Sequence, residues 1–318
     1  MFIPRFADIQ EAREAIAPHV HRTPVLTSRQ LDAISSASLF FKCENFQKVG
    51  AFKFRGATNA VINLTEEQRS HGVVTHSSGN HAAALAHAAV SRGVKACIVM
   101  PSSAPEVKKR AVAGYGAEIT FCEPTLEARE AAAAEIMART GATMIHPFDN
   151  FHIIAGQGTA AMEMLQDMPV PDAVIAPVGG GGLISGTAIA VRHLAPSVKI
   201  YGAEPLLADD AARSLHTGAL QPALPPSTIA DGLLTSLCDR TFTVIRENVS
   251  DILTVTEDQI VDAMMLIWER MKVIVEPSSA VPMAAVLANK TLFCGKKVGI
   301  IISGGNVDLA ELPFAQHA

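Results

Sequence analysis

Two open parallel-sheet α/β domains are what this 318-residue sequence predicts, and three observations predict them. Short apolar runs alternate with helix-forming segments between residues 73 and 147, the alternation restarts after residue 149, and no Gly/Ser-rich or Pro-rich linker separates the two stretches. Alternation at this spacing builds βαβ units whose crossover helices cover a parallel sheet. The missing linker predicts a close interface with a cleft, a favoured place for ligands.

In the first stretch strands are expected at 73–76, 96–100, 118–122 and 143–146. The segments HAAALAHAAVSRG, APEVKKRAVAGYG and TLEAREAAAAEIMARTG follow the first three and read as helices. The last is rich in strong helix formers and stops at Gly141. Together they make a small domain of residues 48–148. An amphipathic segment at 153–165 opens the second stretch. Strands are expected at 173–178, 199–203, 251–255 and 298–302, with helices such as 258–271 and 278–288 between them. Residues 1–47 are expected to pack on this part, giving a large domain of 1–47 with 149–318.

Composition narrows the function. Hydrophobic residues make up 49% and charged residues 18%, as in a globular protein with a large core. A net charge of −5 and a pI near 6.1 give no reason to expect nucleic acid or an acidic membrane as partner. Despite a mean hydropathy of +0.26, no run of about 18 apolar residues spans a membrane. Acidic residues interrupt MFIPRFADIQEAREAIAPHV where a signal peptide needs an apolar stretch, so the chain reads as mature protein. The five cysteines are scattered and odd in number, which predicts no disulfide framework and a cytoplasmic location. Cys43, Cys97 and Cys122 lie in apolar runs and are expected in the core. The histidines form no HExxH or Cys/His cluster, so no zinc site is expected.

Two segments suggest chemistry. Gly179, Gly180, Gly181 and Gly182 follow an expected strand and open a helix near Leu183. Backbone N–H groups converging at a helix N-terminus cradle a phosphate. A plain strand-to-helix turn needs fewer glycines, and neither a P-loop nor a dinucleotide fingerprint matches the spacing. Lys53 stands between Phe52 and Phe54 in KVGAFKFRGA. Its stem can snorkel along the aromatics. Alternatively it is a desolvated lysine with a lowered pKa, suited to a Schiff base.

The order of FQKVGAFKFRGATNA at 46–60, SSGNHAAALAHAA at 77–89, GGGGLISGTA at 179–188, AEP and LLADD within 203–210, IADG at 229–232, EPSSAV at 276–281 and SGGNVDL at 303–309 resembles the fold-type II pyridoxal-phosphate enzymes. Within them it is similar to serine racemase, the 3-hydroxyaspartate dehydratases and the catabolic threonine/serine dehydratases. The resemblance covers nearly the whole chain. It implies the tryptophan synthase β-like fold, with the cofactor cleft between the domains.

The resemblance also implies roles. Lys53 carries pyridoxal 5'-phosphate as a Schiff base, Phe52 packs on the pyridine ring, and Asn80 bonds the ring hydroxyl. Gly179, Gly180, Gly181, Gly182 and Leu183 hold the phosphate. Ser303 meets the ring nitrogen, and a hydroxyl cannot fix a proton there as a carboxylate would, which suits β-elimination better than transamination. Ser77, Ser78, Gly79, Asn80 and His81 bind the substrate's α-carboxylate; helix capping by Ser78 or Asn80 is compatible with that role. The family often has Gly after this histidine, where this chain has Ala82. The freed Lys53 amine takes the Cα proton, the β-hydroxyl leaves, and a keto acid and ammonia result. Ser78, on the opposite face of Cα, makes racemisation the alternative reaction.

Glu204, Ala208 and Asp210 match the divalent-cation site of the serine racemase branch, whose hard oxygen ligands suit Mg²⁺ or Ca²⁺, with Mn²⁺ a further candidate. A solvated acidic turn is the plain alternative. Arg129 matches an arginine near the substrate pocket, where a guanidinium can clamp a second carboxylate; otherwise it pairs with Glu127 or Glu130. No regulatory module follows the matched region, which points to a catabolic or racemising enzyme. A homodimer acting on a small-molecule amino acid is expected from the family. A binding protein that has lost its chemistry is the competing class, but it would show damage at Lys53, Ser78 or the glycine loop.

Overall fold

The structure is a computed structural model that describes residues 2–104, 106–223 and 228–314. Among the described residues, ten strands form two sheets. The strands are β1 (Val25–Leu26), β2 (Ser38–Cys43), β3 (Val73–His76), β4 (Ala96–Pro101), β5 (Glu118–Cys122), β6 (Thr143–Met144), β7 (Ala173–Pro177), β8 (Lys199–Pro205), β9 (Asp251–Val255) and β10 (Lys297–Ile302). One sheet has the order β1-β2-β10-β7-β8-β9 and the other β5-β4-β3-β6. All pairings are parallel except β1 with β2. Two α/β layers are therefore present.

The helices are α1 (Phe6–Ile16), α2 (Arg29–Ser35), α3 (Lys53–Ile62), α4 (Glu66–His71), α5 (Asn80–Val90), α6 (Glu106–Gly114), α7 (Leu126–Thr140), α8 (Phe151–Asp167), α9 (Gly182–Leu194), α10 (Asp210–Thr217), α11 (Asp239–Asn248), α12 (Glu257–Met271), α13 (Pro277–Ala288) and α14 (Lys290–Phe293). Their ends follow local chemistry. Thr125 caps α7 through the Ala128 N–H, and Gly141 ends it with φ 74°. Thr256 and Gln259 form a reciprocal capping box on α12. Separate apolar clusters fill the two faces of each sheet.

The expected strands 73–76, 118–122 and 251–255 form over those residues. The strand expected at 143–146 stops at Met144, and the chain turns at His146–Pro147. Two elements in the N-terminal segment had no strand reading from the sequence: β1 and β2 join the six-stranded sheet. Cys43 is buried as expected, but Cys97, on β4, and Cys122, on the edge strand β5, are half-buried. All five cysteines are free. Among the described residues, no helix is long and apolar enough to cross a membrane.

Helix α3 sits between the two layers, packing on α5 and on α8, which in turn packs on α9. Two glycine contacts permit this closeness. A Cβ added to Gly156 would lie 2.7 Å from Gly56 Cα, and one added to Gly186 would lie 2.5 Å from Gly158 N. A buried charge cluster fixes the same helix. Arg55 donates to Glu44 at 2.7 and 2.8 Å and to Glu163 at 2.9 and 2.8 Å. Lys42 donates to Glu163 at 2.7 Å and to the Thr23 carbonyl at 2.7 Å. The side chains of Arg55, Glu44 and Lys42 have no exposed surface.

Two outcomes follow. Gly156→Ala and Gly186→Ala are each expected to destabilise the fold by about 1–3 kcal/mol in chemical denaturation, because no rotamer change relieves a backbone clash. Gly114→Ala, with open space around its Cβ, is the near-neutral control. Arg55→Met is expected to cost about 3–5 kcal/mol by the same measurement, since it strands buried carboxylates; a loss below about 1 kcal/mol would show that they readily find water.

Candidate active site

Lys53 is the first residue of α3, where the helix dipole disfavours a positive charge. Its Nζ donates to the Pro147 carbonyl at 2.9 Å and lies 5.2 Å from the Phe52 ring centroid. Burial pulls its pKa down to about 8, against a smaller opposing pull from Glu276. About a tenth is thus a neutral, nucleophilic amine at pH 7, far more than for an ordinary exposed lysine.

The residue after Pro147 reaches the glycine loop. A Cβ on Gly180 would meet the Phe148 ring at 2.1 Å, and one on Gly182 would lie 3.0 Å from Phe148 Cβ. Gly179, Gly180, Gly181 and Gly182 are all buried, and Gly181 has φ 81°, open to glycine at little cost. Among the described residues, the N–H groups of these four glycines have no hydrogen-bond acceptor in the protein. Buried N–H groups left unpaired are costly. A phosphate at the start of α9 would satisfy them and meet the positive end of the helix. The loop therefore fits the phosphate of a cofactor held at Lys53.

Ser303 lies at the end of β10, beside this lysine. Its carbonyl accepts from Phe52 N at 2.9 Å, and its Oγ is 2.9 Å from Ser279 Oγ. Among the described residues it has no carboxylate hydrogen-bond partner, so the group offered here to a ring nitrogen is an uncharged hydroxyl.

Ser77, Ser78 and Gly79 connect β3 to α5. The N-cap of α5 is Gly79, with no side-chain cap, so neither Ser78 nor Asn80 caps this helix. Its first N–H groups stay available to an anion. Ser77 Oγ instead accepts from Gly79 N at 3.4 Å. Ala82, at the position where the family often has Gly, is fully buried in the α5 core face. The Asn80 carboxamide donates to both Glu276 oxygens, at 2.9 and 3.1 Å, and accepts from Asn306 at 2.8 Å. Its expected bond to a ring hydroxyl thus shares this side chain with a buried carboxylate. Burial and Asp231 push the Glu276 pKa up to about 7. His81 bonds the Ile145 carbonyl through Nε2 at 3.0 Å, and burial drives its pKa down to about 3.

Arg129, on α7, is half-buried. Its Nε donates to the Thr125 carbonyl at 3.3 Å, and among the described residues it pairs with neither Glu127 nor Glu130. The pKa of His76, at the end of β3, is lowered by burial and then by this guanidinium. The structure therefore brings Arg129 within electrostatic reach of the residue that precedes Ser77.

Glu204, Ala208 and Asp210 are buried together at the end of β8 and the start of α10. Glu204 accepts from Ala211 N at 3.2 Å and Ala212 N at 2.8 Å, while Asp210 Oδ2 is buried with no partner. Burial raises both carboxyl groups, Asp210 to about 6 and Glu204 well above the usual range. An orphaned carboxylate oxygen beside a second carboxylate fits a hard divalent cation. Among the described residues, no group of three or more His, Cys, Asp or Glu side chains is placed to hold a metal, so such a cation would need carbonyl and water ligands too.

Several residues of this site had no role from the sequence: Glu276, Pro147, Phe148, Asn306, His76 and His146. Glu276 was visible only as part of EPSSAV, one residue before Pro277, which starts α13 in the structure. The others come together through the turn after β6 and the loop after β10.

Residues 16–304 match the family model described as pyridoxal-phosphate dependent enzyme. The chain is 50% identical to the beta-hydroxyaspartate dehydratase of Paracoccus denitrificans (strain Pd 1222), over 99% of this chain and 100% of that protein. It is 52% identical to the serine racemase of Dictyostelium discoideum, over 96% of this chain and 95% of that one. The crystal structure of that racemase covers 96% of this chain and 99% of its own, with a TM-score of 0.92. A threonine deaminase from T.th. is 44% identical with a TM-score of 0.92, covering 97% of this chain and 100% of that one. A family match that runs from α1 past Ser303, on a chain folded like these enzymes, establishes that this protein belongs to the pyridoxal-phosphate dependent enzymes, in their fold-type II architecture of two parallel-sheet α/β domains.

Proposed function

We propose that this protein is a pyridoxal-phosphate-dependent ammonia-lyase, a dehydratase that removes water and ammonia from a small β-hydroxy amino acid such as 3-hydroxyaspartate, serine or threonine. The observation that carries this reading is the pairing of a desolvated Lys53 with a buried loop of unsatisfied N–H donors, joined through Pro147 and Phe148. Its resemblance to a dehydratase and a deaminase over nearly its whole length supports the reaction class.

When bound, the cofactor supplies an electron sink for the pair released at Cα. Gly179, Gly180, Gly181, Gly182 and Leu183 hold its phosphate, and Phe52 packs against its ring. Ser303 faces the ring nitrogen without a charge, which moderates the sink. Glu276 and Asn306 hold Asn80 in place at the ring hydroxyl. Ser77, Ser78, Gly79, Asn80 and His81 receive the substrate's α-carboxylate at the open start of α5. The Lys53 amine, neutral above about pH 8, takes the Cα proton. Loss of that proton and the β-hydroxyl removes one water, and hydrolysis returns one, leaving a keto acid and ammonia. Racemisation is the second reading. It rests on Ser78, half-buried on the loop with no hydrogen bond of its own among the described residues, and on the resemblance to serine racemases.

The divalent cation belongs to the same proposal, held by Glu204, Asp210 and the Ala208 carbonyl, with water completing the shell. It would neutralise two buried carboxylates and stiffen the β8–α10 turn. A homodimer is also part of this reading and rests on the family resemblance.

The purified protein is expected to be yellow, and borohydride reduction to fix the cofactor on a peptide containing Lys53. A protein that stays colourless with added cofactor contradicts the proposal. Loading of the cofactor-free protein is expected to accelerate as pH rises and to level off above about pH 8, because only the neutral amine reacts and Lys53 titrates there. A rate still climbing at pH 10, read by absorbance, would place the lysine at the ordinary value near 10.4. EDTA is expected to lower the melting temperature of the wild-type protein by several degrees, with Mg²⁺ or Ca²⁺ restoring it. Asp210→Asn should abolish that response while a wild-type sample run alongside keeps it.

A further inference from the structure

The turn His146–Asn150, between β6 and α8, serves both halves of the cofactor site at once. Its Pro147 carbonyl accepts from Lys53 Nζ at 2.9 Å. Its Phe148 ring is what a Cβ on Gly180 would meet, at 2.1 Å. Any shift of this turn therefore moves the acceptor of the lysine and one wall of the glycine loop together.

The turn is tied from within. His146 Nδ1 accepts from Asp149 N at 2.9 Å and from Phe148 N at 3.4 Å, so Nδ1 carries no proton. Burial pulls the His146 pKa down to about 4, which keeps that nitrogen bare. The His146 ring stands edge-on to the Phe148 ring, with centroids 4.6 Å apart, and to the His76 ring at 5.8 Å. Strands β3 and β6 pair in parallel with Val74 opposite Met144, and this register makes the two histidines neighbours. Asn150 Oδ1 accepts from His152 N and Ile153 N and so caps α8.

Asp149 reaches the other way, to α11. Its Oδ1 lies 3.3 Å from Arg240 Nε. Both atoms are buried, and among the described residues neither has a hydrogen-bond partner, so each is left to the other. Arg240 is in the first turn of α11, which packs on α9. A Cβ on Gly181 would meet Leu237 at 2.7 Å and Thr241, the residue after Arg240, at 2.8 Å. The glycine loop is thus walled on one side by Phe148 and on the other by Leu237 and Thr241. The ion pair joins the residue after the first wall to a residue within the second.

We propose that Arg240 and Asp149 are positioning residues for cofactor capture: their ion pair holds the two walls of the glycine loop together and keeps the Pro147 carbonyl on Lys53. Capture joins the Lys53 nitrogen to the cofactor's aldehyde carbon and releases one water. An amine held through one N–H presents its lone pair in a fixed direction, while the braced loop keeps its N–H groups converged for the phosphate. This role concerns the cofactor alone and holds whether the loaded enzyme eliminates or racemises.

The test titrates cofactor-free protein with pyridoxal 5'-phosphate and reads absorbance. Arg240→Ala and Asp149→Asn are each expected to weaken the Kd about 5- to 30-fold, as for the loss of one charge-assisted contact. The double variant should lose no more than the worse single one, because the same pair is removed each time. Arg240→Lys should recover part of the loss by restoring a cation to Asp149. Pyridoxal, which has no phosphate, should also load several-fold more slowly in Arg240→Ala, since the turn orients Lys53 as well. The melting temperatures of the cofactor-free variants are expected within about 3 °C of wild type, as for one ion pair in a chain of this size. Wild-type affinity in either single variant, losses that add in the double variant, or an unchanged pyridoxal rate overturns the assignment.

Discussion

The buried Arg55 cluster is the constraint on which the rest depends. Arg55 lies in the first turn of α3, two residues after Lys53. Its guanidinium engages Glu44, which follows β2, and Glu163 on α8, while Lys42 completes the charge balance. All four charges are out of water or nearly so, and such a cluster contributes little net stability, because desolvation offsets its Coulomb gain. What it contributes is position. If α3 slid along α8 or rotated, a planar fork with five donors would lose its matched carboxylates. A core of similar volume made of leucines would tolerate a shift of an ångström; this one does not. Lys53 therefore has a fixed origin, and the glycine contacts between α3, α8 and α9 set how deeply that origin lies.

From that origin the electrostatics follow. Three helices begin at the cleft: α3 at Lys53, α5 at Asn80 and α9 at Gly182. Each brings the positive end of its dipole, and α5 and α9 also bring unpaired N–H groups among the described residues. A fixed cation is unwelcome there, and the pKa shifts agree: burial lowers Lys53, His81 and His146 together. Glu276 is raised instead, by burial and by Asp231. The cleft thus holds its own titratable groups near neutrality and keeps its positive potential for what enters. A phosphate and a carboxylate are the ligands that such a field selects.

Much of the fold was legible because it is local. Strands 118–122 and 251–255 carry their own apolar runs, and α7 carries both its Thr125 cap and its Gly141 stop. Strands β1 and β2 were not legible: β1 is two residues long, and β2 reads SLFFKC, with a buried lysine that makes sense only once Glu163 is seen beside it. The glycine loop and Lys53 stood out because each breaks an ordinary expectation, four glycines where one suffices and a cation between two phenylalanines. Glu276 did not, since an acid before a helix-starting proline looks like a surface cap. Its burial depends on Asn80, 196 residues away, and on Asn306. The His76–His146 pair was hidden for the same reason. Strand register, not sequence distance, makes them neighbours.

The two layers divide the work. The glycine loop and Ser303 belong to the ends of β7 and β10 in the six-stranded sheet. The Ser77–His81 loop belongs to the end of β3 in the four-stranded sheet. Groups suited to a cofactor thus rest on one core and groups suited to a substrate on another, with α3 locked between them by Arg55. A substitution in the four-stranded sheet can reshape what the cleft admits without disturbing the glycine loop or the hydroxyl offered by Ser303. The reverse also holds, because the buried donors of the glycine loop constrain that turn whatever amino acid is bound. Reaction type and substrate choice are therefore separable in this architecture, and Lys53 is the point at which the two must agree.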